Sequence, residues 1–320
     1  ILLPHLPTVN PDFMPISVDT YLYVRAFNYI DKYGPLALLK TKPYWDRPVY
    51  FFVLYNIWLL IGKNSVLLLD IIHPLISLSL ITIITYFVVK KYYNLKVAFI
   101  ASLITPLGHG VITFVASGYQ ANSLAYSIAL ALFLLNPTDL IKLAILLTLI
   151  AVIHPWTYIM YSAALLVFYW KISKIKKREL IKVLLIIIFI TFMIELIARI
   201  LYSRSLYDLL ITTSFKISIK RLFSDIYVLR SWFEGVILSD WGCQANSIIL
   251  LSAIFSTQFS PLSAVLAVSS PLLLIGYSTI FRRLVLNTPF EIGSANVISK
   301  LNKQGLILII IILLSRIWRY

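Results

Sequence analysis

"SVLLLDIIHPLISLSLITIITYFVVKKYY", residues 65–93, sets the fold of this chain. From Ser65 to Val89 it carries one charged side chain, Asp70, before Lys90 and Lys91 end the run. A helix crosses the hydrocarbon of a bilayer with about 20 apolar residues, so this stretch predicts a full crossing. Further apolar runs bounded by charge, Pro or Gly lie near 95–116, 119–136, 139–154, 156–171, 180–202, 246–260, 262–281 and 304–319. The expected fold is all-α, a polytopic transmembrane helix bundle of about nine spans.

Composition points the same way. Of 320 residues, 60% are hydrophobic and 13% charged, whereas soluble domains carry about a quarter charged. A single cysteine, Cys243, excludes an internal disulfide framework and any multi-thiolate metal site. Net charge +15 in a soluble protein would suggest nucleic acid. Here it fits orientation in a membrane and contact with anionic lipid or phosphate, with no nucleic acid expected.

The charges order the spans. Lys90, Lys91, Lys96, Lys142, Lys171, Lys174, Lys176, Lys177, Arg178 and Lys182 fall in loops on one side, and the short loops around 118–120 and 154–156 have no basic residue. Positively charged short loops stay cytoplasmic, which places those ten inside. The aromatic run 47–62 is then an interfacial helix lying flat, because a crossing there would invert the assignment. Residues 1–64 become an extracytoplasmic loop with two interfacial helices, and 65–320 the bundle with outer loops 203–245 and 282–303. "ILLPHLPTVNP", 1–11, reads as the outer end of a preceding span, about ten spans in the longer protein.

"VDTYLYVRAFNYIDKYGP" (18–35) and "WDRPVYFFVLYNIWLLIG" (45–62) stand in this outer segment. An acidic residue opens one interfacial helix, a basic residue and Pro open the next, and many spans follow. This order resembles the GT-C integral membrane glycosyltransferases, which include protein O-mannosyltransferases, lipid A aminoarabinose transferases and oligosaccharyltransferases. "SGYQANSLAYSIALALFLLN" (117–136) is a weaker likeness, to the small-residue outer start of a later span. The resemblance covers residues 10–136 and beyond that only architecture.

What it implies is transfer of a sugar from a polyprenyl phosphate, on the extracytoplasmic face of a multi-pass protein of the cell membrane, to a protein, lipid or glycan acceptor. An acceptor hydroxyl is a poor nucleophile near neutral pH and needs a carboxylate to take its proton. Asp19 is the candidate base, although an Asp at a helix start also serves as an N-cap. The leaving lipid phosphate gathers negative charge, which fixed cations stabilise. Arg47 is the first choice, since a guanidinium grips phosphate with two hydrogen bonds. Lys42 and Arg25 are alternatives, and Arg282 with Arg283 offers a second contact or anchors a helix end at the interface.

Departures from the family bear on cofactor and acceptor. Asp19 is followed by Thr20, where many mannosyltransferases have a second acid. The later acidic pair that binds a divalent metal in oligosaccharyltransferases has no counterpart near Gly118, which puts metal dependence in doubt. Asp70, His73, His109 and His154 all fall in the expected outer half, and intramembrane ionisable groups face a cavity or a partner. Asp70, His73 and His154 are considered both as metal ligands and as hydrogen-bonding groups between helices. Glu195 and Arg199 have the spacing of an ion pair within one helix. "SWFEGVILSDWG" (231–242) combines aromatics and acids suited to sugar faces or to an interfacial belt. The absence of Walker, GxSxG and HExxH motifs argues against an ATP-driven pump or a protease. The competing reading is a transporter or flippase for a lipid-linked or anionic substrate. Internal repeats would favour it, and none is visible.

Overall fold

The computed structural model describes residues 20–34, 47–108, 120–172, 184–193, 260–273 and 287–317, with isolated positions between them. These residues are helical, with no strand among them. The helices are α1 Thr20–Tyr33, α2 Pro48–Leu60, α3 His73–Tyr92, α4 Leu95–Ile104, α5 Gln120–Ala131, α6 Leu140–Ile153, α7 Pro155–Ile172, α8 Leu184–Met193, α9 Pro261–Leu273, α10 Phe290–Lys300 and α11 Asn302–Ile317.

The long run that opened the sequence is one continuous helical stretch, Leu67–Tyr92, and it passes the length and hydropathy requirements of a membrane span. It starts cleanly. Gly62 and Lys63 take left-handed φ of 71° and 62° and reverse the chain, and Asn64 Oδ1 then accepts from Leu67 N at 2.9 Å. Its first six residues, Leu67–Ile72, form a π-helical turn in which His73 N donates to Leu68 O, five residues back. Pro74 accounts for the turn: it has no N–H, and its ring would strike the carbonyl four residues before it in a regular α-helix. The widened turn sets Asp70 facing inward, 4% exposed.

α3 packs on α4 and α5, and α5, α6 and α7 follow as antiparallel neighbours. Small residues line these contacts. Ala98, Ala101, Ala121, Ala125, Ala129 and Ala164 are fully buried, which lets helix backbones approach closely. An aromatic layer fills the space beyond: Phe133 meets Phe168 at 4.9 Å and 82°, and Tyr92 meets Phe168 at 5.1 Å and 88°, the edge-to-face geometry that ring quadrupoles prefer.

The two ends of the bundle differ chemically. At one end Lys91 Nζ donates to the carbonyls of Leu134 and Leu135, at 2.7 and 3.2 Å, and Lys96 Nζ donates to Ser299 O at 2.7 Å. Each ammonium thus satisfies orphan carbonyls at a helix C-terminus and meets the negative end of its dipole. The opposite end holds Asp70, His73, Gln120, His154 and Asn287.

Two features of the sequence reading change here. Residues 282–303 were expected as an outer loop, yet Phe290–Lys300 is a helix packed along α4. Lys96 at Ser299 places its C-terminal end, with Lys300 and Lys303, at the basic end. α11 therefore leaves from that end. The segment escaped notice because Glu291, Ser294, Asn296 and Lys300 break its apolarity. Burial compensates: Ile292, Ala295 and Ile298 are at most 1% exposed, Ser294 bonds Ser252 Oγ at 2.7 Å, and Asn296 Nδ2 donates to Ser256 Oγ at 3.2 Å. The second change concerns α2. Tyr50 meets His73 and Trp58 meets Ser65, so eight residues of each strand of the hairpin are in step and α2 runs antiparallel to the start of the long helix.

Candidate functional site

Two helix starts converge on one turn of chain. Thr20, the first residue of α1, donates from Oγ1 to Asp70 Oδ1 at 2.5 Å. Tyr50, in the first turn of α2, lies with its hydroxyl 2.8 Å from His73 Nε2. Asp70 and His73 are three residues apart, so the side chains of Thr20 and Tyr50, from the beginnings of α1 and α2, end on neighbouring positions of about one helical turn. All four side chains are buried.

The remaining length of α1 and α2 holds this arrangement. The helices run parallel, with Tyr23 against Phe51 at 4.9 Å and Phe27 against Trp58 at 5.3 Å. At the far end Lys63 Nζ donates to Asp31 Oδ2 at 2.6 Å, and this hydrogen bond holds the Asp31 carboxyl below the usual carboxylate range. Tyr55 adds a hydrogen bond to the same carboxylate at 3.2 Å.

Of the cations considered from sequence, Arg47 is the half-buried residue immediately before α2, close enough for its charge to act on the Tyr50 hydroxyl. Arg25 stands exposed on α1, whose buried face is Thr20, Tyr23, Ala26, Phe27 and Ile30. The structure therefore does not gather Arg25 into the cluster. Asp19, Lys42, Arg282 and Arg283 lie outside the described residues, as do His109, Cys243, the Glu195–Arg199 pair and the 203–245 loop.

A second polar group adjoins the first through the start of α5. Gln120 Nε2 donates to Leu69 O at 3.2 Å, while Asn122, two residues on, belongs to a knot around Thr157. Thr157 Oγ1 lies 3.0 Å from Asn122 Oδ1, 3.2 Å from Asn287 Oδ1 and 2.8 Å from His154 Nδ1. His154 Nδ1 also accepts from Thr157 N at 3.3 Å, the role of an N-cap for α7. His154 is thus occupied away from Asp70 and His73, and no three His, Cys, Asp or Glu among the described residues gather to hold a metal ion. Each of the three instead hydrogen-bonds a neighbouring side chain, the other role considered for them from sequence.

Glu291 is the residue that sequence reading passed over. It is 7% exposed, at the start of α10, and seated over Gly108, where a Cβ would stand 1.8 Å from its Oε1. "NTPFEIG", 287–293, carried the signal in Asn287 and Glu291 together, yet it read as a loop continuing from the two arginines. Thr20, Tyr50 and Gln120 had no signal, because their partners lie 23 to 51 residues away in sequence. Comparison of the chain with family models, with curated proteins and with solved structures finds no match.

Proposed function

We propose that this chain is a multi-span membrane glycosyltransferase that moves a sugar from a polyprenyl phosphate to an acceptor at the extracytoplasmic face. The observation that carries the reading is the convergence of α1 and α2 on Asp70 and His73. Asp19 is one peptide unit from Thr20, and Arg47 is three residues from Tyr50. The two bonds bring Thr20 and Tyr50, the chain neighbours of the candidate base and of the candidate phosphate ligand, to one end of the bundle. A sugar–phosphate bond needs that pairing of carboxylate and cation.

Membrane residence is supported by the outer surface. Ile76, Ile83 and Phe87 on α3, Ile141, Ile145 and Leu149 on α6, Leu185 and Phe189 on α8, and Leu306, Ile310 and Leu314 on α11 form exposed apolar stripes at helical spacing. In water such stripes would drive association; in lipid they are solvated. Lys300 and Lys303 join the basic end, which adds to the charge asymmetry that supports reading this end as cytoplasmic.

That topology predicts a labelling pattern. With Cys243 replaced by Ser, a cysteine at Lys303 stays unreactive to an impermeant maleimide until cells are permeabilised, and a cysteine at exposed Tyr21 reacts in intact cells. Labelling of position 303 from outside would return residues 282–303 to the outer surface.

The activity itself is tested with purified protein in nanodiscs and a radiolabelled hexosyl polyprenyl phosphate. Wild type releases polyprenyl phosphate with label transferred to acceptor. Arg47→Ala slows this by about 10²-fold, the cost of losing one charge-stabilising group, and Arg47→Lys recovers part of the rate. Movement of lipid-linked substrate across proteoliposomes without cleavage would replace transfer by transport.

A further inference from the structure

Two buried polar atoms beside α3 have no hydrogen-bond partner: Nδ1 of His73, which is 8% exposed, and Oε1 of Gln120, which is 2% exposed. Buried polar groups are nearly always paired, because an unmet one keeps its desolvation cost with nothing to offset it. Gln120 is anchored on Leu69 O, and Leu69 and His73 are four residues apart on one helix face.

The cause lies in the π-turn. His73 N is diverted to Leu68 O, and the residue that would serve Leu69 O in the same register is Pro74, which has no N–H. Gln120 Nε2 fills that gap. The opposite amide orientation would press an oxygen against the Leu69 carbonyl, so Gln120 Oε1 is left as an acceptor. His73 Nε2 is engaged by the Tyr50 hydroxyl, which leaves Nδ1 as donor or acceptor according to the tautomer. With the Tyr50 hydroxyl donating to Nε2, Nδ1 carries the proton, and a group that accepts from Nδ1–H and donates to Gln120 Oε1 through a single oxygen is a hydroxyl. A phosphate or carboxylate oxygen would face Gln120 Oε1 acceptor to acceptor.

We propose that His73 and Gln120 form a subsite for a neutral hydroxyl of a polyol ligand, which, resting on the glycosyl-transfer reading, is a hydroxyl of the donor hexose. The site then distinguishes the sugar and leaves the phosphate to Arg47.

The experiment compares binding of a short-chain polyprenyl phosphate with that of the same lipid carrying a hexose, to the full chain in nanodiscs. Wild type binds the hexosyl lipid more tightly. In Gln120→Met that difference falls by about tenfold while affinity for the bare lipid phosphate is unchanged, and in His73→Phe the difference falls likewise, whatever the loss of the Tyr50 bond does to binding of the bare lipid. Tyr50→Phe breaks the bond to His73 Nε2 without touching either unpartnered atom, and keeps the preference. If Gln120→Met does not fold, His73→Phe set against Tyr50→Phe makes the same comparison. The proposal is overturned if the preference survives in the first two variants, or if Tyr50→Phe loses it equally, since packing would then explain it. Wild type that binds neither lipid removes the donor reading alone, and saturation-transfer NMR with a methyl hexopyranoside then decides. A sugar signal abolished by Gln120→Met upholds the hydroxyl subsite; no signal in wild type assigns both atoms to a resident water and ends it.

Discussion

Asp19→Asn lowers hexosyl transfer by 10²–10⁴-fold, the range supplied by a positioned general base, and leaves the unfolding temperature of the protein unchanged. The substitution separates the two roles considered for Asp19. As a cap on the first turn of α1, Asn serves as well as Asp, since both present a side-chain oxygen to the orphan N–H groups there. As a base, Asn fails, because an amide oxygen cannot take the acceptor's proton at neutral pH. Asp19→Glu keeps the carboxylate one methylene further out and retains a measurable share of the rate. The neighbouring bond supplies the control for position: Thr20→Val removes the hydroxyl that ties α1 to Asp70, leaves Asp19 in the chain, and costs both rate and thermal stability. A rate near wild type in Asp19→Asn would end its assignment as base. The same result with slow transfer in Arg47→Ala would keep the phosphate contact and send the search for the base elsewhere in the cluster.

Gly305→Ala destabilises the bundle by about 1–3 kcal/mol or more, the range for forced overpacking of a filled interior. Gly305 is in the first turn of α11, just past the reversal that joins it to α10. A Cβ there would stand 2.2 Å from the carbonyl oxygen of Ile298 and 3.2 Å from its carbonyl carbon. Neither atom belongs to a side chain that can rotate away, so relief requires the two helices to separate. Thermal unfolding in detergent reads the effect as a drop of several degrees, with the helix signal near Lys300 the first to go. Gly108→Ala is the matched comparison. Its Cβ would strike the Glu291 carboxyl, the free end of a flexible side chain, which can swing aside at smaller cost. Unfolding of Gly305→Ala within a degree of wild type would mean that α10 and α11 do not meet at this hairpin, and residues 282–303 would revert to the loop expected from composition.

The candidate site was legible in part. Asp70 and His73 stood out because ionisable groups inside a long apolar run need partners. Arg47 stood out as a cation placed directly before Pro48 and a helix. Their partners were invisible. Thr20 and Tyr50 are ordinary residues in segments rich in Thr and Tyr, and nothing local marks the bonds they make across 50 and 23 positions. His154 was expected either to ligate a metal or to hydrogen-bond, and it hydrogen-bonds, capping the helix that Pro155 begins.

The amino-acid sequence by itself determined that the described residues are helical, that their helices are broken where Pro, Gly and capping Asn residues stand, and that the lysines of the short loops gather at one end, because hydropathy, propensity and charge act over a few residues at a time. Tertiary structure alone decided that α10 packs into the bundle despite its polar residues, that α2 doubles back along the long helix, and that two helix starts meet at Asp70 and His73. Those outcomes depend on which distant group fills a given space or takes a given hydrogen, and a polar residue looks the same in sequence whether water or a neighbouring helix satisfies it.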